Sequence, residues 1–154
     1  MSKSIKPHHL VLTLALAAST VFAQTTVKDA WIRGTVAQQQ ATGMFAVVTS
    51  ASGGKLVSAS SPVAGMVEIH EMAMDGNVMK MRAVPGLDLP AGKQVKLGPG
   101  GYHVMLMGLK QELKPGSMVP VTLVVEGKDG KREMVEVKVP VKELSGGADG
   151  KMKH

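Results

Sequence analysis

Residues 133–141 read E-M-V-E-V-K-V-P-V, and this stretch decides the fold class. Val135, Val137, Val139 and Val141 fall on one side of an extended chain, because successive side chains of a strand point to opposite faces. Glu133, Glu136 and Lys138 take the polar or flanking positions. Only a half-buried strand collects apolar residues at this spacing.

The same period of two recurs along the chain, and no segment sustains a helical stripe. It predicts strands over Val27–Arg33, Gly43–Thr49, Lys55–Ala59, Val67–Met72, Val78–Val84, Gln94–Leu97, Tyr102–Leu109, Val119–Val125 and Glu133–Val141. Turn chemistry separates them: Ser52-Gly53-Gly54, Asp75-Gly76-Asn77, Pro90-Ala91-Gly92, Gly98-Pro99-Gly100-Gly101, Lys114-Pro115-Gly116-Ser117 and Lys128-Asp129-Gly130. Many short strands at close spacing give an all-β sandwich or small barrel.

The 154 residues suffice for one domain with a core of its own. Lys3 and Lys6, the apolar run from Leu10 to Ala18 and the small residues around Val21-Phe22-Ala23 read as a secretory signal over residues 1–23. That run is too short to span a bilayer, so stable membrane insertion is not expected. The folded domain is expected over 24–144. The Gly- and Lys-rich segment 145–154 has no apolar run and reads as a flexible tail.

Setting aside Lys3 and Lys6 takes the formal charge from +6 to about +4, with the cations spread along the chain. Past the leader, the aromatic residues are only Trp31, Phe45 and Tyr102, too few for a stacking platform, which argues against nucleic acid. Cysteine is absent, so the fold has no disulfide and any metal must be held by other ligands. The chain has no thiol nucleophile and no Ser/His/Asp order with convincing context, so an enzyme is not expected. Methionine is abundant instead, with twelve in the chain. Met44, Met66, Met118 and Met134 read as packing residues.

The remaining methionines keep company with histidine. Asp75-Gly76 is a strong two-residue hairpin signal, and closing the turn there pairs Met72 with Met79 and His70 with Met81. Val67 and Ile69 then point to the core, and His70 and Met81 point away from it. In the segment 102–109, Tyr102, Val104 and Leu106 are assigned to the core, which leaves His103, Met105 and Met107 on the opposite face. The candidate ligands are therefore His70, Met81, His103 and Met105, with Met72, Met79 and Met107 as auxiliaries. Thioethers are soft, uncharged donors that select Cu(I), whereas zinc prefers thiolate or carboxylate. Without a cysteine sulfur, a blue-copper electron-transfer centre is excluded. Met152 and His154 repeat the pairing in the tail, as weak candidates for a secondary Cu(II) event.

The order His70, ten residues, Met81, twenty-one residues, His103, one residue, Met105 resembles the H-x10-M-x21-H-x-M signature of the periplasmic PCu(A)C copper chaperones. The segments "DAWIR", "VEIHEM", "VMKMR" and "PGGYHVMLMGL" fit the same family, and the resemblance runs from about Val27 to Val141. It implies a cupredoxin-like Greek-key β-barrel or sandwich, monomeric and periplasmic. It also implies one exposed Cu(I) site that carries copper to an acceptor protein in assembly of cytochrome c oxidase copper centres. The alternative is a periplasmic protein that sequesters copper or silver without a dedicated acceptor.

Overall fold

The computed structural model describes residues 24–143. The expected leader and tail, with Met152 and His154, lie outside the described residues. The strands are β1 (Thr25–Arg33), β2 (Ala41–Ser50), β3 (Gly54–Ser60), β4 (Ala64–Asp75), β5 (Val78–Ala83), β6 (Leu87–Leu89), β7 (Gln94–Leu97), β8 (His103–Leu109), β9 (Met118–Gly127) and β10 (Arg132–Lys142). They run in the spatial order β5-β4-β8-β2-β1-β10-β9-β3-β6, with β7 pairing β2 beyond the end of β8.

This is an all-β, cupredoxin-like Greek-key sandwich. One layer contains β5, β4, β8, β2, β7 and β1; the other contains β10, β9, β3 and β6. The layers are joined where β1 pairs in parallel with β10, at Ile32↔Val141 and Arg33↔Lys142. The path ends at β5 and β6 without closing, so the barrel part of the expectation gives way to an open sandwich. Between the layers lies one core that includes Ile32, Met44, Leu56, Leu106, Leu123 and Val139. Full burial of each such side chain contributes about 1.5–3 kcal/mol, and in a chain without disulfides this burial carries the fold. Val139 and Val141 are buried, as the alternation in β10 requires, while Val135 and Val137 are half-buried nearer its other end.

Three local features depart from the strand reading. Leu87-Asp88-Leu89 forms β6 against β3, with both leucines buried; three residues are too few to show a period. In β1 the register with β2 shifts between Lys28 and Trp31, where Asp29 takes a left-handed φ of 52°. This bulge reverses the alternation, so Ile32 enters the core while Trp31 and Arg33 turn outward beside Phe45. Tyr102 precedes β8 and is exposed, not in the core, because the strand begins at His103.

Candidate metal centre

Three neighbouring strands place the candidate donors on the outer face of one layer. In the β4–β8 pair His70 stands opposite His103 and Glu68 opposite Met105. In the β4–β5 hairpin Met72 stands opposite Met81, and Met74 opposite Met79. The expected pairing of His70 with Met81 and Met72 with Met79 is thus corrected by a two-residue slip: His70 faces Ala83. The cause lies in the turn. Asp75 and Val78 close it around Gly76-Asn77, and Gly76 alone carries the positive φ, 63°. A left-handed residue at the first central position is what a type II′ turn needs, whereas Asp75-Gly76 as a type I′ pair would need two. A slip of two preserves side-chain parity, so every donor keeps its expected face. His70 is now the diagonal neighbour of Met81.

The two imidazoles lie inside the site. Their ring centroids are 5.8 Å apart at an interplanar angle of 54°. His70 Nε2 is 2.8 Å from Glu68 Oε2, and His70 Nδ1 is buried with no hydrogen-bond partner. In the neutral ring Nε2–H donates to the carboxylate, which leaves the lone pair on Nδ1. His103 Nδ1 lies 3.2 Å from the Gly101 carbonyl. Donation there leaves the lone pair on Nε2. Each ring is therefore held through one nitrogen by an oxygen and offers the other, the arrangement that orients metal-binding histidines. Burial holds the His103 imidazole below the usual histidine range, and the charges of His70 and Arg33 act in the same direction against the Gly101 carbonyl. A neutral ring is the form a metal requires.

Around His103 the outer face forms a concavity of about 360 Å³, lined among others by Met72, Met81, Met105, Gly43 and Phe45. Phe45 backs it: its ring lies 6.3 Å from that of His103 and 4.7 Å from that of Trp31. Gly43, opposite Met105, leaves room for this ring; a Cβ there would stand 3.1 Å from Phe45 Cζ. The expectation of an exposed site holds for only part of it. His103 is 6% exposed, whereas Met81 is 51% exposed on the edge strand β5. His103 is the buried donor of the concavity and Met81 its exposed one, while Met72 and Met105 are half-buried; His70, also half-buried, stands beside His103 but does not line the concavity.

The auxiliary methionines separate. Met72 lines the concavity, Met79 lies two pairs further towards the hairpin tip on the same face, and Met107 lies opposite Met66, away from the histidines. Met44 is fully buried packing, but Met66, Met118 and Met134 are exposed, which corrects their reading as packing residues. Glu68, Phe45 and Gly43 were not singled out from the sequence. Glu68 could have been found, since it shares the face of His70 two residues away; Phe45 and Gly43 reach the site only through the β2–β8 pairing.

Chemically, two imidazoles and several thioethers suit a soft monovalent cation. Among the described residues no group of three or more His, Asp or Glu side chains gathers to hold a harder metal.

Solved structures share this architecture. The solution structure of apo-DR1885 from Deinococcus radiodurans is 30% identical over 93% of this chain and 97% of that one, with a TM-score of 0.57. CuI-DR1885 from the same organism is 30% identical over 82% of this chain and 83% of that one, with a TM-score of 0.60. The apo PCuAC domain from PmoF1 is 24% identical over 79% and 95% of the two chains, with a TM-score of 0.63, a likeness of fold. In sequence, a "Putative lipoprotein" of Leifsonia xyli subsp. xyli is 37% identical over 123 residues, 78% of this chain and 70% of that protein. The family model described as "Putative lipoprotein LpqE-like" matches residues 25–141. The chain has a PCuAC-type, cupredoxin-like fold and belongs to the LpqE-like family.

Proposed function

We propose that this protein is an extracytoplasmic Cu(I) carrier, not an enzyme, that binds one copper ion through His70, Met81, His103 and Met105. The observation that carries the reading is the pair of imidazoles, each oriented by an oxygen through one nitrogen and each offering the other beside thioethers. The 30% identity to CuI-DR1885, a Cu(I)-bound protein of the same fold, supports it. Two lines support a place outside the cytoplasm: the leader-like residues 1–23 and a relative described as a lipoprotein. Release into the periplasm is the corresponding reading.

Neutral soft donors hold Cu(I) without the charge attraction a thiolate supplies. A thiolate-bearing acceptor can therefore draw the ion away, which suits delivery to a cytochrome c oxidase copper centre by a monomeric carrier. The test is competition of Cu(I) against a chromophoric chelator, followed by mixing the loaded protein with oxidase subunits. One tight equivalent, lost in Met81→Ala and Met105→Ala and surrendered to the subunit, is expected. Equal or tighter Zn(II) binding at these residues would overturn the site. Retention of copper against every thiolate acceptor would replace delivery by sequestration.

A further inference from the structure

Beyond His70 the hairpin leaves β8, whose pairing with β4 ends at His70↔His103, and it projects as a two-stranded ribbon. Its two faces differ in kind. On one, Lys80 Nζ lies 2.8 Å from Asp75 Oδ2, and Arg82 Nε lies 2.6 Å from Glu71 Oε1, so both cations are paired. The other carries Met72, Met74, Met79 and Met81 in two directly opposed pairs.

Packing does not explain Met74 and Met79. They are 62% and 47% exposed, and every residue of β5 is exposed. Directly opposed side chains on an antiparallel pair have Cβ atoms about 4.5–5.5 Å apart, close enough for two flexible thioethers to converge on one ion. Met72 stands on the same face two pairs further along, within reach of a side chain with three rotatable bonds.

We propose that Met72, Met74 and Met79 form a second, weaker soft-cation site on the ribbon, for Cu(I) or Ag(I). When the histidine site has taken Met81, these three thioethers remain beside it. Met72 also lines the concavity, so the ribbon offers an all-thioether route between solvent and the inner site. A neutral S3 set lacks imidazole and stands on an exposed ribbon, so it binds more weakly and exchanges faster. Its donors carry no proton, and its affinity is insensitive to pH between 5 and 8.

Titration of the full chain with Ag(I), followed by NMR of methionine methyl and histidine ring signals, separates the two sites. The first equivalent should move His70, His103, Met81 and Met105; a second should move the methyls of Met74 and Met79. The double variant Met74→Leu/Met79→Leu keeps side-chain size and should reduce the stoichiometry from two to one, with the first equivalent unchanged. Absence of a second equivalent, its survival in the double variant, or its appearance at Met107 or Met152 instead would overturn the proposal. Movement of Met74 and Met79 with the histidines silent throughout would sustain the ribbon site and sink the histidine site.

Discussion

His70 and His103 face each other across the β4–β8 pair, and each is tethered by an oxygen two residues before it in sequence: the Glu68 carboxylate and the Gly101 carbonyl. The two tethers differ. One is a side chain that mutation can remove; the other is backbone. The lone pairs available to a metal are correspondingly Nδ1 on His70 and Nε2 on His103, so the site is asymmetric although its two histidines are in register.

The Glu68 tether makes a direct prediction. In Glu68→Ala the His70 ring loses its fixed tautomer, and Cu(I) affinity should fall about 10–100-fold, the usual cost of removing an outer-shell partner. Glu68→Gln, which can still accept a hydrogen bond, should retain more of it. Ring nitrogen shifts of the metal-free protein should show His70 protonated at Nε2 in the native chain and mixed in the alanine variant. Unchanged shifts would mean that Glu68 does not orient the ring.

Lowered protonation of His103 makes stability depend on pH in a defined direction. The folded protein prefers the neutral ring, so the unfolded chain takes up a proton first as pH falls below its ordinary value near 6.5. The contribution of His103 is therefore present above that value and lost as pH falls through it towards the lower folded value. Thermal unfolding of the metal-free protein from pH 8 to pH 5 should show this decline, and His103→Gln should flatten it. Copper affinity should also fall over this range as protons compete with the metal for His103, with the methionines retaining some Cu(I).

Position separates packing methionines from functional ones. Met44 is fully buried, and Met44→Ala should destabilise the fold by about 2–5 kcal/mol while leaving the copper stoichiometry unchanged. Met134, 70% exposed on β10, should tolerate alanine with neither effect. Denaturant melts and copper titrations of the two variants check both statements.

Gly43 tests the aromatic backing. A methyl group there meets the Phe45 ring, itself held against Trp31, so Gly43→Ala must shift one of them. A loss of about 1–3 kcal/mol and a change in Trp31 fluorescence are expected, with weaker copper binding through the displaced Phe45. Native fluorescence with native affinity would show that the ring has room to yield.

The tail prediction follows from the sequence alone. Truncation after Leu144 should leave the tight Cu(I) site nearly intact, because His70, Met81, His103 and Met105 all precede the cut and the removed segment holds only Met152 and His154 as soft or imidazole donors. Calorimetry of the truncated and full chains should show at most the loss of a weaker event.

The sequence by itself determined which face of each site strand carries which chemistry, because a period of two survives any even slip in register. The β4–β5 pairing moved by two residues, and His70, Met72 and Met81 still share a face. Which residue of β4 stands opposite which residue of β5 goes with the turn at Gly76, and such a choice leaves no mark on the alternation. Only the tertiary structure could bring His103 against His70 and Phe45 against His103, since those contacts cross between strands far apart in the chain. The bulge at Asp29 reverses the parity of β1 and so escapes any reading based on alternation. Exposure was the other quantity hidden from the sequence: a methionine looks the same in a string whether it fills the core, as Met44 does, or lines an overhanging ribbon, as Met74 and Met79 do. Side-chain direction is a local property of the extended backbone, whereas register, burial and partner depend on where the other strands lie.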